Sequence, residues 1–284
     1  MLTPDEIARA AVLQADLHAQ TADNDGPISD DDLARRFTER HGDVFRYVAA
    51  LGRWFMWVGS HWKQDDSLAV FDAARASCRR DLGQALVDLE KPHERKQLRS
   101  KLGAAPTVAA VERLARSDRC HAVTLEALDV DPWLLNTPGG VLDLRTGALR
   151  PSNPSDLITK ITAAAPMPDC PIFQRVLERA LPDVEVREYV QRLVGYFLTG
   201  EVRENTVALV YGAGGNGKSL IFNAIRYALR DYAITLGSEV LMESHNDRHP
   251  TEIAVLRGAR MALCSEVDSG RRWNEARLKR LSGG

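Results

Sequence analysis

Nothing in this 284-residue sequence approaches the run of about 18 uninterrupted apolar residues that a membrane-spanning helix requires. The opening stretch MLTPDEIARAAVL has neither the basic start nor the apolar run of a secretion signal. A cytoplasmic location is therefore expected. Cysteine is scarce: Cys78, Cys120, Cys170 and Cys264 lie far apart and form no C-x-x-C pair. Dispersed thiols in a reducing compartment account for them better than a disulfide or zinc framework. An excess of either charge is also missing, with 37 basic residues against 39 acidic ones and a net charge of −2. That balance argues against a protein that coats nucleic acid, and leaves room for one that grips a strand at a few loops. There is no internal repeat and no low-complexity tract. What remains is ordinary globular composition, 44% apolar and 27% charged, in a chain long enough for two domains.

Along the chain, a short helix is expected from Glu6 to His18, followed by a polar linker. Ser29 with Asp32 three residues on reads as a capping-box-like helix start. In RWFMWVGSHWKQ, two aromatic-rich runs flank Gly59-Ser60, a glycine-first hairpin turn. Helical periodicity runs from Ser67 to about Ala115, with breaks near Lys91-Pro92 and Gly103-Pro106. Between Trp133 and Asp156, glycines, prolines and short β-branched runs predict a strand-rich insert. Helices return in IFQRVLERAL and VREYVQRLVGYFLTG. The prolines near Ala165–Pro171 suggest a boundary, giving residues 1–28 as helix and linker, 29–165 as a first domain and 166–284 as a second.

The second domain carries the most specific signal. Gly212-Ala213-Gly214-Gly215-Asn216-Gly217-Lys218-Ser219 fits the pattern G-x-x-x-x-G-K-S throughout, between an expected strand at Thr206–Tyr211 and an expected helix from Lys218. Glycines let successive backbone N–H groups turn toward phosphate oxygens. The helix aims its positive end at the same place. Lys218 is expected to reach the β- and γ-phosphates, and Ser219 to give its hydroxyl to magnesium. A chain of this length meets the pattern by chance on the order of 1% of the time at average residue usage. ATP with Mg2+ is the expected ligand.

Such a loop needs an acid to hold the metal and polarise water. In ARMALCSEVDSG, Met261–Cys264 reads as a strand, and Glu266 and Asp268 follow it. Glu266 is the nearer to the strand end and the first choice; Asp268 is second. The two strands are expected to be neighbours in a parallel sheet.

GAGGNGKS together with HPTEIAVLRGARMALCSEVDSGRRWNEARLKRLSGG resembles the superfamily 3 helicase core of phage and plasmid primase–helicases, including the poxvirus type. RYVAALGRWFMWVGSHWKQDD and WLLNTPGGVLDLRTGALRPSNPSDLITKIT resemble the region that precedes that core. The resemblance runs from about Leu33 to the end. It implies an α/β chain: a mostly helical N-terminal domain with small β elements, then a P-loop, AAA+-like core. It also implies an ATP-dependent DNA helicase working as a homo-oligomeric ring, a hexamer when full length, in replication. Gly212–Ser219 would be motif A, Glu266 would sit in motif B, and Asn274–Gly284 would lead toward a DNA-facing hairpin. Arg277, Lys279 and Arg280 are the candidate DNA contacts, since clustered cations suit a phosphate backbone.

The family continues to a sensor asparagine and an arginine finger, and this sequence stops at Gly284. Such a finger is worth about 10³–10⁵ in rate, so the chain is expected to bind ATP·Mg and hydrolyse it poorly. Residues 1–165 hold no paired acids of a primase kind, so primase activity is not expected. Glu243, His245, Asp247 and His249 crowd one stretch but read as a polar loop rather than a metal site. Trp54, Trp57 and Trp62 read as core rather than as base-stacking platforms. Two other functions stand beside the motor: a nucleotide-dependent loader or switch, and a non-catalytic interaction module.

Overall fold

The computed structural model describes residues 28–87, 89–204, 207–212, 214–243, 256–264 and 272–282. The expected helix at Glu6–His18 lies outside them. The fold is a mixture of helices and small sheets. It divides into two compact units. One takes the described residues through Arg40 together with Phe71–Ala115; the other takes His41–Val70 and the described residues from Arg116 onward.

The first unit is helical. Helix α1 (Asp30–His41) begins as the sequence indicates: Ser29 N–H and Oγ both donate to Asp32 Oδ2, and Asp32 N–H donates to Ser29 Oγ. The carboxyl of Asp32 is held below its ordinary range, chiefly by the Ser29 hydroxyl. Helix α2 (Ala69–Val87) is followed by α3 (Pro92–Leu102) and α4 (Ala105–Ala115). Both breaks fall where proline and glycine predict them. Pro92 occupies the first turn of α3, where its missing N–H has no partner to lose. Leu33, Phe37, Cys78, Leu102, Val108 and Val111 are buried in this unit. So is the carboxylate of Asp81, which accepts from both terminal nitrogens of Arg40.

In the second unit, strands β1 (Phe45–Val48), β2 (Arg53–Trp57) and β3 (Trp62–Gln64) form an antiparallel sheet. Gly59 takes φ +86° at the β2–β3 turn, and Val58 N–H donates to His61 O across it. A residue with a Cβ rarely adopts that φ, which is why glycine comes first in this turn. Trp54 and Trp62 are buried, and Trp62 Nε1 donates to Pro154 O at 2.8 Å. Val48, Phe55, Trp62 and Leu128 make one core cluster, so these tryptophans are core residues.

The second sheet holds β4 (Leu134–Thr137), β5 (Gly140–Asp143) and β6 (Leu149–Arg150), all antiparallel. Helices α5 (Pro171–Ala180) and α6 (Val184–Leu198) follow, then α7 (Lys218–Leu229). Strand β7 (Ala233–Leu236) pairs in parallel with β8 (Met261–Cys264), Ala233 opposite Met261 and Leu236 opposite Cys264. A last helix, α8, runs Glu275–Leu281. Leu135, Leu229, Tyr232, Ala233 and Met261 form the second core cluster, at the foot of α7.

The expected strand before the glycine loop is a correction. Residues 207–211 belong to no ladder, and the parallel partner of β8 is β7. A β-branched run becomes a strand only when a neighbour takes up its N–H and C=O groups. No described strand lies beside this one. Its side chains are correspondingly open, Leu209 at 69% and Tyr211 at 92% exposure.

Candidate phosphate-binding loop

The glycine-rich loop enters α7 through a left-handed turn. Gly215 has φ +74° and Gly217, the helix N-cap, has φ +86°. A Cβ on Gly217 would also fall 3.1 Å from the Ala180 Cβ, so α5 packs close behind the loop. The first helical bond runs from Ile221 N–H to Gly217 O at 3.1 Å. The N–H groups of the first turn thus lie ahead of the ladder, at the positive end of a twelve-residue helix.

Lys218 arches back over the loop. Its Nζ donates to Gly212 O at 2.9 Å and to Asn216 Oδ1 at 2.8 Å. A Cβ on Gly212 would stand 2.8 Å from Asn216 Nδ2 and 3.4 Å from that same Nζ. The Gly212 carbonyl, the Asn216 amide and the ammonium thus meet where a side chain on Gly212 would have no room. Two oxygens gather the ammonium here, and phosphate oxygens are stronger acceptors of the same kind. The donor set therefore fits a polyphosphate. Ser219 is exposed on the first turn of α7, free to face a cation held by such a ligand. Ala213, Glu266 and Asp268 lie outside the described residues; β8 ends at Cys264, two positions before Glu266. Among the described residues no group of His, Cys, Asp and Glu could by itself hold a metal ion.

The other end of α7 is tied down by polar contacts that local sequence patterns do not reveal. Tyr232 follows the helix and is 2% exposed. Its hydroxyl accepts Asn136 N–H from β4 at 3.1 Å. Asn136, wholly buried, donates through Nδ2 to Ser60 O and Lys160 O at 3.0 and 2.9 Å. Asp231 Oδ2 accepts Ile161 N–H, and Ala228 O accepts Ala163 N–H at 2.9 Å. The Arg260 guanidinium lies 4.6 Å over the Tyr232 ring and donates to Leu198 O and Leu134 O. Burial pulls the pKa of Arg260 down and pushes that of Tyr232 up to about 12. The loop helix is thereby anchored to β4 and α6. The sequence signal for this was slight: one asparagine inside the apolar run LLNT.

The candidate strand contacts separate. Arg277 donates Nη1 to Val240 O at 2.8 Å, so its guanidinium is partly engaged within the protein. Lys279 and Arg280 are exposed on α8, whose N-cap Asn274 accepts Arg277 N–H. Of the polar stretch around Glu243, that residue alone is described, and its N–H donates to Arg272 O. His245, Asp247 and His249 lie outside the described residues.

Residues 34–182, just over half of the chain, match the family described as D5 N terminal like. The chain belongs to that family. The matched region takes in all three helices that follow α1, both antiparallel sheets and α5, and ends before the glycine loop. The chain is also 28% identical over 168 residues to a protein of Acanthamoeba polyphaga mimivirus whose name describes it as a "putative helicase". That alignment takes in 56% of this chain and 18% of the viral protein, so the chain spans a minor part of its relative's length.

Proposed function

We propose that this chain is the part of a DNA-replication helicase that carries its nucleotide site, and that Gly212–Ser219 hold the phosphates of ATP. The observation that carries the reading is the Lys218 ammonium, held over the glycine loop by Gly212 O and Asn216 Oδ1 at the start of α7. On nucleotide entry, Lys218 exchanges those oxygens for phosphate ones, while the backbone of Gly214–Gly217 turns its N–H groups inward. Ser219 would hold magnesium with Glu266, or with Asp268 as the alternative, and the metal would neutralise phosphate charge. The D5 N terminal like family and the viral relative named as a helicase support the choice of a replication motor over other nucleotide-binding proteins.

In this reading the nucleotide sits between subunits of a homo-oligomeric ring, a hexamer, and its turnover moves basic side chains such as Lys279 and Arg280 along a DNA backbone. The anchoring of α7 through Tyr232 and Arg260 suits such a device, because strain at the loop then passes to β4 and α6 instead of dissipating. The experiment is ATP turnover by the full chain with and without single-stranded DNA. Stimulation by DNA of even a slow turnover, lost in Lys218→Ala, is expected of a motor. Nucleotide binding with turnover indifferent to DNA would favour a loader or switch instead.

A further inference from the structure

The far end of α7 carries side chains for which the phosphate loop has no use. Arg226 and Arg230, four residues apart, line one hollow of about 390 Å3 with Tyr227 and Ala163. Tyr227 is 75% exposed. By helix rise, Arg226 stands about 12 Å along the axis from Lys218.

His61, on the β2–β3 turn, feels Arg230 and Lys63 as well as Asp231 and Asp129. Burial is the first cause that lowers the pKa of His61 below its ordinary value. Lys160 Nζ donates to Asp231 O at 3.3 Å, adding a further cation. The hollow itself is lined by two cations, Arg226 and Arg230, and, among the described residues, by no acid; the nearby acids also accept from the backbone. Asp129 accepts Thr159 N–H at 2.7 Å, and Asp231 accepts Ile161 N–H at 3.1 Å. The Arg230–Asp231 pair is long, at 3.7 Å, and open to water, so it restrains Arg230 little. Arginines near a helix C-terminus favour the helix dipole. That accounts for Arg226, but not for the open tyrosine that lines the same hollow.

We propose that this hollow contacts a single nucleic-acid strand, with phosphates against Arg226 and Arg230 and a base stacked on Tyr227. Guanidinium groups beside an exposed ring answer both halves of a nucleotide unit, whereas a purely inorganic polyanion has no use for the ring. The proposal deepens the helicase reading and rests on it for the kind of strand. Because ATP binding at Lys218 is measured separately, either can fail alone.

The test is fluorescence anisotropy of labelled oligo-dT, about 20 nucleotides long, with the full chain at several salt concentrations. Arg226→Ala/Arg230→Ala is expected to weaken binding at least ~10-fold and to flatten the log–log salt slope by about 1.4, near 0.7 for each phosphate contact. Tyr227→Ala is expected to weaken oligo-dT about 10-fold and to leave inorganic polyphosphate binding unchanged. Mg·ATP affinity is expected to be the same in all three proteins, and near-ultraviolet circular dichroism checks that each is folded. Oligo-dT affinity unchanged in either variant overturns the proposal. Loss of Mg·ATP affinity in the double variant also overturns it, assigning the hollow to a mononucleotide.

Discussion

Replacing Tyr232 by phenylalanine isolates the contact that fixes the foot of the loop helix. The hydroxyl is buried, accepts Asn136 N–H at 3.1 Å and lies 3.4 Å from Lys160 O. At pH 8 the variant leaves the Asn136 N–H without its acceptor, which costs about 1–3 kcal/mol. Alkaline pH then supplies a second, independent signature. The folded protein keeps the phenolic proton up to about pH 12, whereas the unfolded chain releases it near the ordinary value of 10.0. Between those values the unfolded chain binds fewer protons, so stability falls as pH rises. The contribution is whole below pH 10 and is lost on passing through about 12. At about 1.4 kcal/mol for each pH unit, the loss amounts to roughly 3 kcal/mol. Every other titratable group is shared by the two proteins, so the difference between the two profiles is what matters. Urea unfolding followed by tryptophan fluorescence from pH 8 to 12 should show wild type more stable at pH 8 and the gap closing by pH 12. Parallel profiles would refute the account of Tyr232 as a buried, neutral anchor.

Three further outcomes follow from single side chains. Asp81→Ala leaves Arg40 facing a buried gap and should cost about 3–5 kcal/mol, seen as a lower unfolding midpoint. Gly217→Ala forces a Cβ into the left-handed region, at about 1–2 kcal/mol, and toward Ala180 at 3.1 Å. Mg·ATP affinity should drop on the order of tenfold, because 1.4 kcal/mol is a factor of ten in binding. Ser29→Ala removes the N-cap of α1 and should cost about 1 kcal/mol, read as faster amide exchange in the first turn.

Features whose cause is local were legible in the sequence. The Ser29–Asp32 cap, the turn at Gly59, the breaks near Pro92 and Gly103, and the strand-rich character of the insert after Trp133 each depend on a few adjacent residues. The run before the glycine loop misled for the complementary reason. Val207, Leu209 and Val210 have the composition of a strand, but a ladder depends on neighbours that no local pattern records. The four residues of β7 were missed because so short a run between a helix and a loop has no readable period. The candidate phosphate loop was visible as a spacing of glycines and a lysine. Its anchoring was not: Asn136 and Tyr232 are 96 residues apart, and Arg260 reaches a carbonyl 126 residues away. A buried asparagine or arginine has the same letter as an exposed one.

The central claim is that Lys218 and the backbone around it bind a nucleoside triphosphate. Isothermal titration of the full chain with Mg·ATP addresses it most directly, with Lys218→Ala titrated alongside. The account predicts saturable heat for the wild-type chain and a loss of at least about 2.7 kcal/mol, a hundredfold, in the variant. Absence of heat in the wild type, or the same isotherm for both proteins, would contradict it.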